Sequence, residues 1–231
     1  MRGGVFGVYM RPLLLIGAGG FARETVELVR AINRRAPTWE LVGLLDDDPE
    51  LRDTELLGVP VLGPCAAAHE HSDAALVACV ASPDEPLRRL RLVARLGLPL
   101  ERYATLVHPT AVVPDSASIG PGSVLHANAV LTADVSLGWH VAVMPHVVLT
   151  HDDEVGDGVT FGAGARVAGA VEIGAGAYVG AGALLRERIS VGCGATVGMG
   201  AVVTRSIPCG EVWYGSPARP AGSAEPLEAV L

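Results

Sequence analysis

The sequence predicts a small parallel α/β domain followed by a parallel β-helix. Three observations predict these two domains. An apolar residue recurs every six positions from Val107 to Val203, apolar runs alternate with amphipathic stretches before it, and a Gly-rich turn follows the first apolar run. Half of the residues are hydrophobic but only 4% are aromatic. A core of small aliphatic side chains suits regular stacking around a narrow interior.

The six-residue period identifies the β-helix. The leading positions hold Val107, Val113, Ile119, Leu125, Leu131, Leu137, Val143, Leu149, Val155, Phe161, Val167, Ile173, Val179, Leu185, Val191, Val197 and Val203. A helix of about 3.6 residues per turn cannot hold this column on one face, so we predict three short strands per coil. We expect each leading side chain to point inward and a small residue four places later to fit a corner. The Gly that often follows the leading residue would permit the tight backbone there.

The first hundred residues begin with a strand, a Gly-rich turn and a helix. The run Leu13–Ile16 predicts a buried parallel strand, Gly17-Ala-Gly-Gly20 follows it, and residues 21–32 carry apolar side chains at helical spacing. Free N–H groups at the start of such a helix form an anion-binding site. The third Gly of the dinucleotide fingerprint is missing, so a dinucleotide site has weak support.

An acidic turn follows the second predicted strand. Leu41–Leu45 runs into Asp46-Asp47-Asp48, and an acidic residue at this place commonly accepts hydrogen bonds from a sugar hydroxyl or a base. The same residues could form a solvated turn, since Pro49 follows directly. The sequence leaves both interpretations open.

A third strand and a basic helix complete the predicted α/β domain. The strand spans residues 76–80 and leads to Ser82, and the helix spans residues 86–96 and includes Arg88. Gly97 ends this helix. We expect the domain boundary near residues 100–106, just before the hexads begin.

Charge and cysteine usage exclude several functions. The net charge of −8 makes a nucleic-acid backbone an unfavourable partner. None of the four cysteines forms a CxxC pair, so zinc ribbons and redox motifs have no support, and we expect buried thiols in a reducing compartment. No apolar run reaches transmembrane length, and residues 1–11 are too short and weakly apolar for a signal peptide. We therefore expect a cytoplasmic protein without a membrane partner.

Five motifs, taken in order, resemble those of one enzyme family. They are Gly17-Ala-Gly-Gly20, Asp46-Asp47, His108-Pro109, Thr150-His151-Asp152 and Tyr214-Gly-Ser-Pro-Ala-Arg219. With the hexads between them, they resemble the hexapeptide-repeat sugar acyltransferases of the sialic-acid O-acetyltransferase type. That family includes bacterial N-acetyltransferases of nucleotide-linked amino sugars in the bacillosamine and perosamine pathways. The resemblance covers about residues 12–219.

The resemblance implies an architecture and a reaction. Residues 11–104 would form a Rossmann-like α/β nucleotide-sugar-binding domain, and residues 105–219 a left-handed parallel β-helix acyltransferase domain with a C-terminal segment on the CoA side. Family members are generally homotrimers with active sites between neighbouring prisms. The implied reaction transfers an acetyl group from acetyl-CoA to a nucleotide-linked sugar, and N- and O-acetylation both remain open.

The catalytic candidates lie on two successive coils. The resemblance implies His151 as the general base, because an imidazole titrates near neutrality and can accept a proton. In relatives the carboxylate that follows this histidine orients the ring, and in this sequence that residue is Asp152. Asp153 interrupts the small-residue corner column, where a carboxylate is costly unless paired, so Asp153 remains an alternative. Gly169, one coil further along, would offer its N–H to the thioester oxygen.

The resemblance also implies two sets of binding residues. The substrate candidates are Gly17, Gly19, Gly20, Phe21, Asp46, Asp47, Ser82 and Arg88. The CoA candidates are Thr160, Ala181, Met199, Arg205 and Arg219. Phe21 and Thr160 replace histidines of the family. Phe21 could stack on a nucleotide base and Thr160 could still donate a hydrogen bond, whereas the two arginines could meet CoA phosphates or be ordinary surface residues.

Other functions remain as alternatives. The same β-helix carries γ-type carbonic anhydrases, and His146 and His151 have the spacing of two zinc ligands. Thr110 stands where a third ligand is expected, so we predict no metal. We expect three further histidines to be partly exposed structural residues, namely His108, His126 and His140. O-acetylation of a free or CMP-linked sugar, acylation of a free small molecule such as an amino acid, and a scaffold without chemistry are the remaining alternatives.

Overall fold

In the computed structural model, which describes residues 10–223, the chain begins with a five-stranded sheet. Its elements in chain order are β1 (Arg11–Ile16), α1 (Gly20–Arg35), β2 (Trp39–Leu45), β3 (Glu55–Leu56), β4 (Val59–Gly63), β5 (Ala75–Ala78) and α2 (Arg88–Leu96). Short 3-10 helices occupy Pro49–Leu51, Cys65–His69 and Leu100–Arg102. The sheet has the order β3-β4-β2-β1-β5, and all its pairings are parallel except that of β3 with β4.

The predicted α/β architecture is confirmed, with different element boundaries. Helix α1 continues to Arg35, and helix α2 begins only at Arg88. Strands β3 and β4 were not predicted, because β3 has only two residues and β4 contains Pro60, so neither carries a long β-branched run. The strands β1, β2 and β5 end at the same edge of the sheet, which brings the turns that follow them together.

The rest of the described chain folds into three sheets of a β-helix. The domain face consists of β6 (Leu106–Val107), β8 (Val124–Leu125), β11 (Ala142–Val143), β14 (Thr160–Phe161), β17 (Tyr178–Val179), β20 (Thr196–Val197), β22 (Glu211–Gly215) and the antiparallel β23 (Ala218–Ser223). The aliphatic face consists of β9 (Val130–Leu131), β12 (Val148–Leu149), β15 (Arg166–Val167), β18 (Leu184–Leu185) and β21 (Val202–Val203). The serine–glutamate face consists of β7 (Ser118–Ile119), β10 (Ser136–Leu137), β13 (Glu154–Val155), β16 (Glu172–Ile173) and β19 (Ser190–Val191).

Each coil stacks directly on the coil before it. Val148 pairs with Arg166, and Leu184 pairs with Val202, so residues 18 positions apart are neighbours. From Leu125 onward, the leading residues of the hexads are buried in one continuous core. The predicted inward column and the left-handed parallel β-helix are therefore confirmed.

The glycines of the repeat have a different role from the predicted one. From Ile119 to Val197, the left-handed backbone region falls three residues after each leading residue, as at Asn128 and His146 with φ of 59° and 62°. The glycines directly after the leading residues do not adopt it. Instead the next coil lies against them, and a Cβ at Gly174 would be 2.5 Å from the backbone nitrogen of Cys193. Close approach of the coils, rather than corner conformation, requires these glycines.

The substitution Gly174→Ala should destabilise the protein by about 2–3 kcal/mol, because the methyl group would collide with the backbone of the next coil. The control is Gly182→Asn at a left-handed corner, where φ is 67° and no atom lies within 4 Å of the added Cβ. This variant should lose about 1 kcal/mol or less. Urea unfolding measures both losses, and equal losses would contradict the close-approach explanation.

A buried arginine joins the two domains. Arg89 of α2 is 2% exposed. Its guanidinium donates hydrogen bonds of 2.7 to 3.1 Å to the backbone oxygens of Val80, His140, Gly158 and Val159 and to the hydroxyl of Thr160. Burial lowers the pKa of Arg89 to about 10, so the group stays charged at neutral pH. These acceptors compensate the buried charge without a carboxylate and fix the α/β domain on the domain face.

Two of the three histidines predicted to be partly exposed are buried. His126 is 4% exposed and His140 is 1% exposed. The ring of His140 packs edge-on against Tyr103 with 4.5 Å between centroids. Burial lowers the pKa of both imidazoles to about 4. The repeat pattern did not predict this burial, because the N-terminal domain and its connection to the β-helix, which includes Tyr103, provide much of the cover.

Acid should destabilise the fold in a window set by these histidines. An unfolded histidine takes up a proton below pH ~6.5, whereas folded His126 and His140 resist protonation until about pH 4, so the contribution of these two residues to stability falls as the pH drops between these values. The urea midpoint should fall less between pH 7 and pH 5 in His140→Leu than in the wild type. The exposed control His69→Leu should keep the wild-type pH dependence. An unaltered pH dependence in His140→Leu would contradict this account.

The cysteines only partly follow the prediction of buried thiols. Cys65 and Cys79 are buried, but Cys193 is half-buried and Cys209 is exposed, and all four are free. The pairing of successive coils places Cys193 and Cys209 at a corner of the prism, where their side chains are not fully covered. Among residues 10–223, neither α1 nor any other helix has the length and hydropathy that crossing a membrane requires.

Candidate active site

The corner after strand β12 carries the strongest catalytic candidate. The side chains of His151 and Asp152 are 66% and 63% exposed there, and Nδ1 of the imidazole lies 2.8 Å from Oδ2 of the carboxylate. Asp152 has the left-handed backbone of the corner, which Asp tolerates better than most residues. Asp152, and not Asp153, is therefore the carboxylate in contact with the ring. When Nδ1–H donates a hydrogen bond to this carboxylate, Nε2 is left available as a base.

Asp153 supports the backbone of this corner from inside the prism. It is 0% exposed, and its carboxylate accepts hydrogen bonds from the amides of Thr150 at 2.9 Å and Val171 at 3.0 Å. Burial raises the pKa of Asp153 to about 6, although the two amide hydrogen bonds act in the opposite direction. The carboxylate thus ties the corner of His151 to the next coil.

Gly169 lies one coil further along, against the imidazole. A Cβ at this position would overlap Cε1 and Nε2 of His151. No oxygen within residues 10–223 accepts a hydrogen bond from the amide of Gly169. A proton-accepting nitrogen and an unpaired N–H donor therefore lie side by side at one corner. That arrangement suits a reaction in which negative charge develops on an oxygen while a proton is removed.

The stacked coils place the other β-helix candidates in two columns. Arg205 lies in the column of His151, three coils further along, and its guanidinium is 5.0 Å from the ring of Trp213. Ala181 and Met199 are exposed at the opposite edge of the aliphatic face, one coil apart. Within one protomer the aliphatic face therefore separates His151 from Ala181 and Met199.

The substrate candidates of the α/β domain gather at the carboxyl edge of its sheet. One cleft of about 210 Å³ is lined by Gly17, Asp46, Asp47 and Arg88. An adjoining cleft of about 140 Å³ is lined by Gly17, Gly19, Gly20, Phe21, Asp46 and Arg88. Ser82 lines neither cleft, and its hydroxyl accepts a hydrogen bond from the amide of Asp84 at 3.2 Å. Seven of the eight substrate candidates thus meet at one place, and Ser82 does not join them.

The two aspartates of the acidic turn already have protein partners. Asp46 accepts hydrogen bonds from the amides of Ala18 at 2.7 Å and Asp48 at 2.9 Å. Asp47 accepts one from the amide of Cys65 at 2.9 Å and one from the guanidinium of Arg95 at 2.6 Å. Asp46 therefore holds the Gly-rich turn in place, a role that neither sequence interpretation included. Carboxylate oxygens retain further lone pairs for a ligand.

Two basic residues of this cleft were missed by sequence reasoning. Arg91 and Arg95 line it together with Arg88. The three arginines recur at spacings of three and four along α2, which places them on one helix face. That spacing was a signal for a shared anion site. It was missed because a basic helix face is more often simply solvated.

Phe21 and Thr160, which replace histidines of the family, both lie at the interface between the two domains. The ring of Phe21 lies 5.9 Å from the ring of His126 and 5.8 Å from the guanidinium of Arg89. Thr160 is 5% exposed on the domain face, and its hydroxyl accepts a hydrogen bond from Arg89. This burial does not favour the predicted contact of Thr160 with CoA. Arg219 is exposed on β23 and donates to the carbonyl of Ala218.

The chain is similar to known sugar acetyltransferases over most of its length. Residues 12–91 match the PglD N-terminal domain, and residues 154–187 match the bacterial transferase hexapeptide family. The chain is 32% identical to the acetyltransferase domain of PglB from Neisseria gonorrhoeae, solved with acetyl coenzyme A, with a TM-score of 0.81 over 92% of this chain and 100% of that one. No curated protein sequence matches the chain significantly.

The chain is also similar to two further solved structures over most of its length. The chain is 30% identical to WeeI from Acinetobacter baumannii, with a TM-score of 0.75 over 90% of this chain and 99% of that one. It is 28% identical to a mutant of GDP-perosamine N-acetyl transferase from Caulobacter crescentus, in complex with CoA and GDP-perosamine. The TM-score is 0.79 over 92% of this chain and 97% of that one.

The fold and the site define an acyltransferase built on a left-handed β-helix. The chain belongs to the hexapeptide-repeat sugar acyltransferases that carry a PglD-type N-terminal domain. The family resemblance and the enzyme class predicted from the sequence are thereby confirmed. Within residues 10–223, no three His, Cys, Asp or Glu side chains are grouped to hold a metal ion. The roles of individual site residues stay predictions.

The substitution Gly169→Ala should lower kcat by about 100-fold, because its methyl group would push the imidazole of His151 aside by about an ångström. The imidazole is an exposed and movable side chain, so the thermal unfolding temperature should change little. In the double variant with His151→Ala, the Gly169→Ala change should cost little more, since its target is already gone. Fully additive losses would refute the steric explanation.

Proposed function

We propose that the protein is a homotrimeric, cytoplasmic N-acetyltransferase that moves the acetyl group of acetyl-CoA to the amine of a nucleotide-linked sugar. The observation that carries this proposal is the contact of the His151–Asp152 pair with Gly169 at one corner of the prism. The similarity to GDP-perosamine N-acetyl transferase and to the PglB acetyltransferase domain favours an amino sugar as acceptor.

The reaction uses the two nitrogens of His151 for different tasks. Nε2 takes a proton from the sugar amine as the amine attacks the thioester carbonyl. Nδ1 keeps its proton in the hydrogen bond to Asp152, whose carboxylate stabilises the imidazolium that forms. The unpaired N–H of Gly169 donates to the oxyanion of the tetrahedral intermediate. Collapse of the intermediate expels the CoA thiolate, which takes the proton from His151.

The α/β domain holds the nucleotide end of the substrate. Arg88, Arg91 and Arg95 supply positive charge to a cleft that opens beside the N–H groups of the Gly-rich turn. Asp47 accepts a hydrogen bond from Arg95, and this carboxylate offsets part of that charge. The cleft therefore favours an anionic group such as the diphosphate of a nucleotide sugar.

The outward side chains of the aliphatic face support the trimer. They are Val112, Val130, Val148, Leu184 and Val202, with Arg166 as the exception. Val112 is 55% exposed and Leu184 is 41% exposed, whereas the serine–glutamate face presents Ser and Glu at the same positions. An exposed stripe of aliphatic side chains is a surface that association would bury.

This assembly would complete the active site. The corner of His151 borders the aliphatic face on one side, and the corner of Ala181 and Met199 borders it on the other. If three prisms turn their aliphatic faces to a common axis, the corner of His151 in one prism meets the corner of Ala181 in the next. Acetyl-CoA would then lie between two protomers. Arg205 and the C-terminal strand with Arg219 are available to its phosphates.

Replacement of the base is the test of this mechanism. His151→Ala should lower acetyl transfer at least 1000-fold, at the upper part of the range of about 10²–10⁴ for a general base, because the attacking amine keeps its proton. The measurement is release of free CoA thiol from acetyl-CoA with UDP-, GDP- and dTDP-linked amino sugars, each compared with its hydroxyl analogue. The exposed control His69→Ala should behave as the wild type.

Sedimentation should show the same trimer for His151→Ala and the wild type, so a loss of activity would not reflect assembly. Wild-type turnover in His151→Ala would refute the assignment of the base. Transfer to the hydroxyl analogues with none to the amino sugars would replace N-acetylation by O-acetylation.

A further inference from the structure

Two of the four cysteines lie side by side at the last corner of the β-helix. Val191 and Ile207 pair in parallel, so Cys193 and Cys209 occupy the same corner in successive coils. The amide of Cys193 donates to Sγ of Cys209 at 3.2 Å, and the amide of Gly210 donates to the carbonyl of Cys193 at 2.9 Å. Neighbouring strands lie about 4.8 Å apart, within the Cα separation of about 4.4–6.8 Å that a disulfide spans.

A solute can reach these two thiols more readily than the other two. Cys209 is exposed and Cys193 is half-buried, whereas Cys65 and Cys79 are 5% and 2% exposed. Burial raises the pKa of both Cys65 and Cys79 to about 12, which leaves very little reactive thiolate at neutral pH. Burial and the neighbouring Cys209 also raise the pKa of Cys193, so a thiol-reactive solute should react first at the exposed Cys209.

We propose that Cys193 and Cys209 form a reversible thiol–disulfide exchange site that a low-molecular-weight disulfide oxidises. The more exposed Cys209 attacks the solute disulfide as a thiolate, and the solute thiolate that leaves takes up a proton equal to the one Cys209 lost. The Cys193 thiolate then attacks the sulfur of Cys209 and displaces the second solute thiolate, which is protonated in turn. The protein loses two hydrogens with their electrons, and the solute disulfide is reduced to two thiols.

The bond would close a loop over the last full coil. This loop contains strands β20 and β21 and two candidate CoA residues, Met199 and Arg205. Strand β21 is the end of its sheet, so this coil is paired on one side only along the aliphatic face. A covalent link between its two ends limits its separation from the rest of the prism. The corner of His151 lies further down the stack and is not enclosed by the loop.

The site can be tested by treating the full chain with glutathione disulfide and measuring intact mass and linked peptides. The wild type should lose about 2 Da and give one linked peptide pair, which joins Cys193 to Cys209. Its unfolding temperature should rise by several degrees, since a loop of about 15 residues becomes closed. Cys193→Ser should stop as a mixed disulfide with glutathione on Cys209, and dithiothreitol should restore every species.

Two results would overturn the proposal. One is a wild type that accumulates glutathione on Cys209 and never closes the bond, because the two sulfurs then do not meet. The other is glutathione on Cys65 or Cys79 before Cys209, because accessibility then does not select the pair. Mass and unfolding temperature do not depend on acetyl transfer, so this experiment is decided separately from the sugar screen.

Discussion

Direct stacking of 18-residue coils is the constraint on which the rest of the structure depends. Each coil donates and accepts backbone hydrogen bonds with the next, so a corner residue has a neighbour 18 positions away, or 16 positions away at the last coil. His151 and Gly169 meet for this reason, although no turn or hairpin connects them. The same stacking leaves no room for a side chain at positions such as Gly174, and most corners contain a left-handed residue. Asp152 fills one of these corner positions, so the position of the carboxylate that contacts His151 follows from the coil itself.

The buried guanidinium of Arg89 is the second constraint, because it decides how the α/β domain sits on the prism. Its hydrogen bonds to His140, Gly158 and Val159 of the β-helix would be lost if the domain rotated or lifted, whereas the one to Val80 stays within the domain. Helix α2, which carries Arg89, also presents Arg88 and Arg91 to the cleft at the carboxyl edge of the sheet. The contact that fixes the domain therefore also fixes the basic side of the cleft.

The hexad pattern was sufficient to predict the β-helix. A period of six specifies one inward column of apolar side chains, and the period of an α-helix does not fit that column. The place of Asp153 in the corner column indicated that its carboxylate needs a partner, but not that the partners are the amides of Thr150 and Val171. The burial of Thr160 and His140 could not be predicted, since their cover comes from residues outside the repeat. Sequence periodicity indicates which side chains are buried within the repeat. It does not report what another domain covers.

The three faces of the prism have different outer surfaces, and this difference links assembly to catalysis. The domain face is covered by the α/β domain, and the serine–glutamate face is polar, with Glu154 and Glu172 in register and exposed. Only the aliphatic face then offers a surface that gains free energy by association. Because its two edges carry His151 and Ala181, the proposed association of three parallel prisms through this face would bring these unlike edges together. In the proposed trimer, the aliphatic residues at the interface would therefore also build the groove for the thioester.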